Sequence, residues 1–164
     1  MNTKTSKPTK SLSRKRHVAA RALPLFVRMG YEKVSFQDIS EATGVPRTAL
    51  YRYYRTKRRI FDAAIMEVIG EVRAEIVKSS EKGKTPTERL RYVSETILDL
   101  LYRRRDFVQV IFDFVFAKIA SGEDMAKRVA AFTIGLKLTF RELVVACQAV
   151  DEIKRETDPD MLAE

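Results

Sequence analysis

From Met125 to Val150, apolar side chains recur every three or four residues: Met125, Val129, Phe132, Leu136, Phe140, Leu143, Cys147 and Val150. That step lays one continuous stripe along an α-helix, whereas on a strand it would scatter the same residues over both faces. The same step recurs upstream. No segment alternates with period two, and the sequence has no Asn-Gly or Asp-Gly pair to turn a hairpin. The fold class this dictates is all-α.

Punctuation divides the chain into helices. Residues 1–12 form a Ser/Thr/Lys tail with too few apolar residues to fold, and are expected to be a disordered basic arm. The first helix is predicted from Ser13 to Met29, with Val18, Ala22, Leu25, Phe26 and Met29 inward and Gly30 as its stop. Pro24 falls inside it and predicts a kink or a later start, since it deletes one backbone hydrogen bond and crowds the carbonyl of Ala20. Ser35 with Asp38 is a capping-box signal for a second helix over 36–43, which Gly44 ends. Pro46 suits the first turn of a third helix reaching about Tyr54. Thr56 caps a fourth to about Ser79. Thr85-Pro86-Thr87-Glu88 opens a fifth. Asp106 opens a sixth, DFVQVIFDFVFAKIAS, apolar on nearly every side and therefore central. A seventh spans about Glu123 to Lys154. This is a three-helix amino-terminal domain over residues 13–57, followed by a helical bundle over 58–164.

Charge separates the two parts. Of the 164 residues, the first 63 hold 15 Lys/Arg against four acids, and the remainder hold 16 against 18. A basic end on an otherwise balanced chain points to a polyanion. No apolar run approaches the ~18–20 residues that span a bilayer, so no membrane partner is expected. One cysteine, Cys147, excludes an internal disulfide and fits a reducing, cytoplasmic setting. His17 is the only histidine. Without a His/Cys cluster, a phosphate-binding glycine loop or a nucleophile elbow, neither an enzyme, a metal site nor a cofactor is expected.

The basic charge concentrates in GVPRTALYRYYRTKRR, residues 44–59, which carries three tyrosines and six basic residues with no acid. Two short helices joined at Gly44-Val45-Pro46 make a helix-turn-helix. Leu50 and Tyr54, one turn apart, face the core. Arg47 and Tyr51 form an outward row with Thr48 and Arg52 beside it, and Tyr53 also points outward. In such a motif the second helix enters the major groove, where Arg47 can fork onto guanine and tyrosine hydroxyls suit phosphate oxygens. Lys57, Arg58 and Arg59 stand in the first turn of the next helix, against its dipole. That placement makes sense beside an external anion.

The stretch ALPLFVRMGYEKVSFQDISEATGVPRTALYRYYRTKRRIFDAAI, within residues 18–65, resembles the DNA-binding domain of the TetR/AcrR transcriptional regulators. The matching elements are LF…GY ending the first helix, S-x-x-D-I at the second, A-x-x-G-V at the turn, and L-Y through to a lysine at the start of the fourth helix. By position, the resemblance implies phosphate contacts from Ser35 and Tyr51. Gln37, Arg47, Thr48 and Tyr53 match positions that read bases or lie at the groove. Lys57 matches the lysine that anchors the fourth helix to the DNA backbone. The stretch departs from the family at Pro46, where a capping Ser or Thr is usual, at Arg58, often an acid, and at Pro24.

The resemblance further implies a carboxy-terminal helical domain that binds a small molecule and dimerises. The expected ligand-lining residues are Ile69, Phe107, Phe112, Phe116, Phe132 and Leu136, and the expected inducer is apolar or aromatic. The family continues beyond a helix start like Thr157-Asp158-Pro159-Asp160 with two helices that join subunits, whereas here four residues follow. The stripe from Met125 to Val150 is therefore expected to lack cover, and either to pair with a second copy or to leave the chain poorly soluble. The expected function is a ligand-responsive repressor that binds a palindromic duplex operator as a homodimer. The rival is a basic helical module that binds RNA or an acidic partner.

Overall fold

The computed structural model describes residues 10–105, 108 and 123–162. Among them are the helices α1 (Lys10–Met29), α2 (Phe36–Thr43), α3 (Arg47–Tyr53), α4 (Lys57–Ser80), α5 (Pro86–Arg103), α6 (Glu123–Ala149) and α7 (Pro159–Leu162). No described residue lies in a strand. The chain divides into two compact units, one ending at Val68 and the other beginning at Ile69. The sixth predicted helix, including Phe107, Phe112 and Phe116, lies outside the described residues apart from Val108, as do residues 1–9.

In the first unit, Val18, Ala22 and Phe26 of α1, Ile39 of α2, Leu50 of α3 and Ile60 and Phe61 of α4 are wholly buried. The Phe26 and Phe61 rings meet edge to face at 5.0 Å, and Tyr31 meets Phe61 at 5.2 Å. Such pairs favour one relative placement of rings beyond their apolar burial. α1 begins at Lys10, earlier than the apolar pattern predicts, because polar groups of its first turns find tertiary partners. Arg16 Nε donates to both carboxylate oxygens of Glu67 at 2.9 and 3.0 Å. The Tyr54 hydroxyl donates to the Lys15 carbonyl at 2.9 Å, and burial pushes that phenol up to about 12. α1 also runs through Pro24. Pro24 and Ala20 are both exposed, so water can satisfy the carbonyl that lost its intrahelical donor.

In the second unit, α5 packs on α6. Ile76, Val93 and Leu100 form the buried cluster, with Ile97, Leu136, Phe140 and Leu143 against it. Much of the α6 stripe expected to lack cover is therefore covered within this unit. Met125 and Cys147 are buried as well. A different set on α6 stands in solvent: Ile134, Leu138 and Val145 are exposed, as are Leu98, Leu101 and Tyr102 of α5.

α6 ends at Ala149, five residues short of the predicted Lys154, and its termination explains why. Asp151 takes φ 58°, its N–H reaches the Gln148 carbonyl at 3.2 Å, and the Glu152 N–H reaches the Cys147 carbonyl at 2.9 Å. This is the paired 5→2 and 6→1 bonding of a Schellman cap. Asp is among the few residues besides Gly that enter the left-handed region, so no glycine marks the stop. Beyond it, the Glu152 carboxylate accepts from the backbone N–H and hydroxyl of Thr87, at the start of α5. That start also carries the predicted capping box of Thr85 and Glu88. Among the described residues no helix is long and apolar enough to cross a membrane.

Candidate nucleic-acid interface

α2 and α3 are held at a fixed turn by short polar side chains. Gly44 takes φ 67°, where a side chain would be strained, and its N–H closes onto the Ser40 carbonyl at 2.9 Å. Thr43, buried, donates from Oγ1 to the Ile39 carbonyl at 2.7 Å and accepts from the Val45 N–H at 3.2 Å. The Ser40 hydroxyl donates to the Val45 carbonyl at 2.9 Å. From α1, His17 Nε2 lies 3.2 Å from the Thr43 carbonyl. Sequence reasoning assigned no role to this histidine; it braces the turn.

The brace presents α3. Leu50 and Tyr54 are buried as predicted, while Arg47, Thr48, Tyr51 and Arg52 are exposed. Pro46 offers no side-chain cap, in keeping with the hydroxyl missing there. Gln37 is exposed on α2, its amide donating to Glu41 at 2.7 Å. Tyr51 stacks on Phe36 at 4.2 Å with planes 12° apart, which fixes its ring while leaving it 47% exposed. The signal for that contact was Phe36 directly after the cap residue. Tyr53, half-buried, accepts from Arg14 Nη1 at 3.3 Å.

Ser35 caps α2: its hydroxyl donates to Asp38 Oδ2 at 2.6 Å and accepts from the Asp38 N–H at 3.2 Å. The hydrogen bond from the Ser35 hydroxyl, joined by that from its N–H, holds the Asp38 carboxyl below its ordinary 3.8. Ionised Asp38 therefore adds stability that is fully present above that value and is lost as pH falls through the lower folded-state value. Asp38→Asn is expected to lower the Tm relative to wild type near neutrality, with the gap closing as pH falls below that value. Circular-dichroism melts across that range check it; a gap that persists in acid would mean the carboxylate charge is not what matters.

The cations opening α4 do not all await an external anion. Lys57 Nζ donates to the carbonyls of Tyr31 and Glu32 at 2.8 and 3.0 Å and lies 4.5 Å from the centre of the Tyr31 ring. Arg58 pairs with Asp62 at 2.6 Å. The dipole conflict is thus met in part inside the protein, and Arg59 is the exposed member of the three. Thr56 caps the helix, accepting from the Arg59 N–H at 3.3 Å. Of the residues expected to line a ligand site in the second unit, Ile69 is buried, Phe132 is half-buried, and Leu136 packs on the core cluster.

Residues 19–64 match the family model described as bacterial regulatory proteins, tetR family. Over 115 residues the chain is 28% identical to the nucleoid occlusion factor SlmA of Glaesserella parasuis, covering 70% of this chain and 56% of that protein. It spans about half the length of the curated relatives it matches. Among solved structures, a transcriptional regulator from Saccharomonospora viridis in complex with choline superposes with a TM-score of 0.79 at 20% identity, over 92% of this chain and 78% of the other. AibR in complex with isovaleryl coenzyme A and operator DNA superposes with a TM-score of 0.69 at 19% identity, over 92% and 80%. At such identities the superpositions establish the fold.

Proposed function

From a chain that belongs to the tetR family of bacterial regulatory proteins through its amino-terminal domain, we infer a ligand-responsive repressor that binds a palindromic duplex operator as a homodimer. The observation that carries this reading is the exposed row of α3, Arg47 and Thr48 with Tyr51, held by a braced turn in a stretch without a single acid. Arg47 and Thr48, with Gln37 from α2, are the proposed base readers; Ser35, Tyr51 and Lys57 are the proposed backbone contacts, and Tyr53 lies at the groove. Pairing runs through the exposed apolar side of α6. The inducer is an apolar or aromatic small molecule bound in the second unit, with Ile69, Phe132 and Leu136 among its contacts. Choline and isovaleryl coenzyme A, each present with one of the two superposed regulators, support a small-molecule site in this fold, and the apolar character of the inducer is read from these lining residues alone. α4 contributes residues to both units and is the element through which the inducer would act on the head. The reducing cytoplasm is the proposed location.

Selection of bound duplexes from a random pool tests this reading and should return one palindromic motif. Arg47→Ala should then lose about 1–3 kcal/mol of discrimination at one base pair of each half-site, read as the ratio of affinities for the selected and altered duplexes. A pool that yields no common motif, with an RNA hairpin competing equally, would instead support a basic interaction module.

A further inference from the structure

Arg14, Arg52, Tyr53 and Ser11 line an open cleft of about 300 Å³ in the first unit. Two of these residues come from α1 and two from α3, Arg14 and Tyr53 being 39 positions apart in sequence. The Arg14 guanidinium donates to the Tyr53 hydroxyl at 3.3 Å, and the Arg52 guanidinium lies 5.4 Å from the centre of the same ring. No carboxylate lines this cleft. That sets it apart from nearby arginines, since Arg16 is matched by Glu67 and Arg58 by Asp62. Bringing two guanidiniums around one neutral phenol concentrates positive charge without neutralising it.

We propose that Arg14, Arg52 and Tyr53 clamp one phosphodiester of the bound duplex, so that Tyr53 serves affinity and not base recognition. The proposal rests on the DNA-binding reading above and changes the role of one of its residues. Helical geometry supports the change. At about 100° per residue, Tyr53 lies roughly 120° around α3 from Arg47, on the side where Arg14 of α1 meets it. A helix seated in the major groove turns one side to the bases, and its flanks meet the sugar-phosphate walls. Guanidinium forks match phosphate oxygens in shape and charge. A phenol that accepts from Arg14 keeps its own proton to donate to the same phosphate. Hydrogen bonds from Arg14 and then Arg52 hold that phenol below its ordinary value, which makes it a better donor.

The test measures affinity for the selected duplex and for a random duplex by fluorescence anisotropy, across a potassium chloride series, with duplex selection repeated on each variant. Arg14→Ala should weaken both duplexes equally, by about tenfold at low salt. It should also lower the slope of log affinity against log salt by about 0.9, the value for one phosphate. Arg14→Lys, which keeps the charge, should retain the slope and lose only part of the affinity. Tyr53→Phe should weaken both duplexes equally and return the same motif. Exposed Arg14 allows these changes without unfolding, which equal melting curves confirm. Unchanged affinity and slope in Arg14→Ala, while Arg47→Ala still loses discrimination, would overturn the clamp and leave the DNA reading intact. A changed motif with Tyr53→Phe would overturn it in favour of base reading. If inorganic phosphate alone shifts the Arg14 side-chain resonance and Arg14→Ala leaves duplex binding untouched, the cleft serves a free anion and the duplex assignment falls. A wild-type protein that binds no duplex fails the broader reading first, and the clamp with it.

Discussion

Replacing Phe61 with alanine is expected to destabilise the first unit by about 3–5 kcal/mol, the cost of removing a wholly buried phenylalanine. Its ring fills the space between α1 and α4 and meets both Phe26 and Tyr31 edge-on. Two aromatic contacts therefore go with the apolar burial. The loss also reaches the interface, because Tyr31 supplies one of the carbonyls, and the ring, against which Lys57 is held. Urea unfolding followed at the first unit should show the fall in stability. Duplex affinity should drop for all sequences alike, in proportion to the unfolded fraction. Phe61→Leu, which keeps much of the volume, should recover most of both. A loss below about 1 kcal/mol would show that the surroundings collapse into the vacated space.

The second large effect is expected from Ile134→Glu combined with Leu138→Glu. The two residues lie one turn apart on α6 and are 59% and 52% exposed, so charging them should leave the unit folded. If this side of α6 joins two subunits, buried like charges will separate them. Sedimentation should then report a monomer. Affinity for a duplex with two half-sites should fall by about 10²–10⁴-fold, the contribution of making the second contact intramolecular. Affinity for a single half-site should not change. An unaltered sedimentation coefficient would move the pairing surface elsewhere, with the exposed Leu98, Leu101 and Tyr102 of α5 the next residues to charge.

What the sequence disclosed was local. The capping boxes at Ser35 and Thr85, the stop at Gly44 and the inward pair Leu50 and Tyr54 all follow from spacings of three or four residues, and all are present. What it withheld depends on partners far along the chain. α1 starts early because Arg16 finds Glu67 and Tyr54 finds Lys15, contacts that no window on α1 contains. Lys57 and Arg58 looked like a surplus of charge until their carbonyl and carboxylate partners came into view. Arg14 stood out only as one of several leader cations, and its meeting with Tyr53 is a tertiary event. The end of α6 was missed for a different reason: an aspartate does there what glycine does elsewhere. Phe107, Phe112 and Phe116 lie outside the described residues.

The bond from Glu152 back to Thr87 sets an order in time. The first unit has every residue of its own once Val68 has been made, whereas the amino end of α5 is not fully capped until position 152 exists. At about 5–20 residues per second, some 4–17 s separate those two moments on a ribosome. Units of this kind fold as they emerge, amino-terminal first. A finished basic head therefore waits for seconds, tethered and single, before the half of the molecule that would pair it is complete. If the head binds a palindromic operator in pairs as proposed, it would meet duplex DNA in that interval only singly, with the affinity of one half-site.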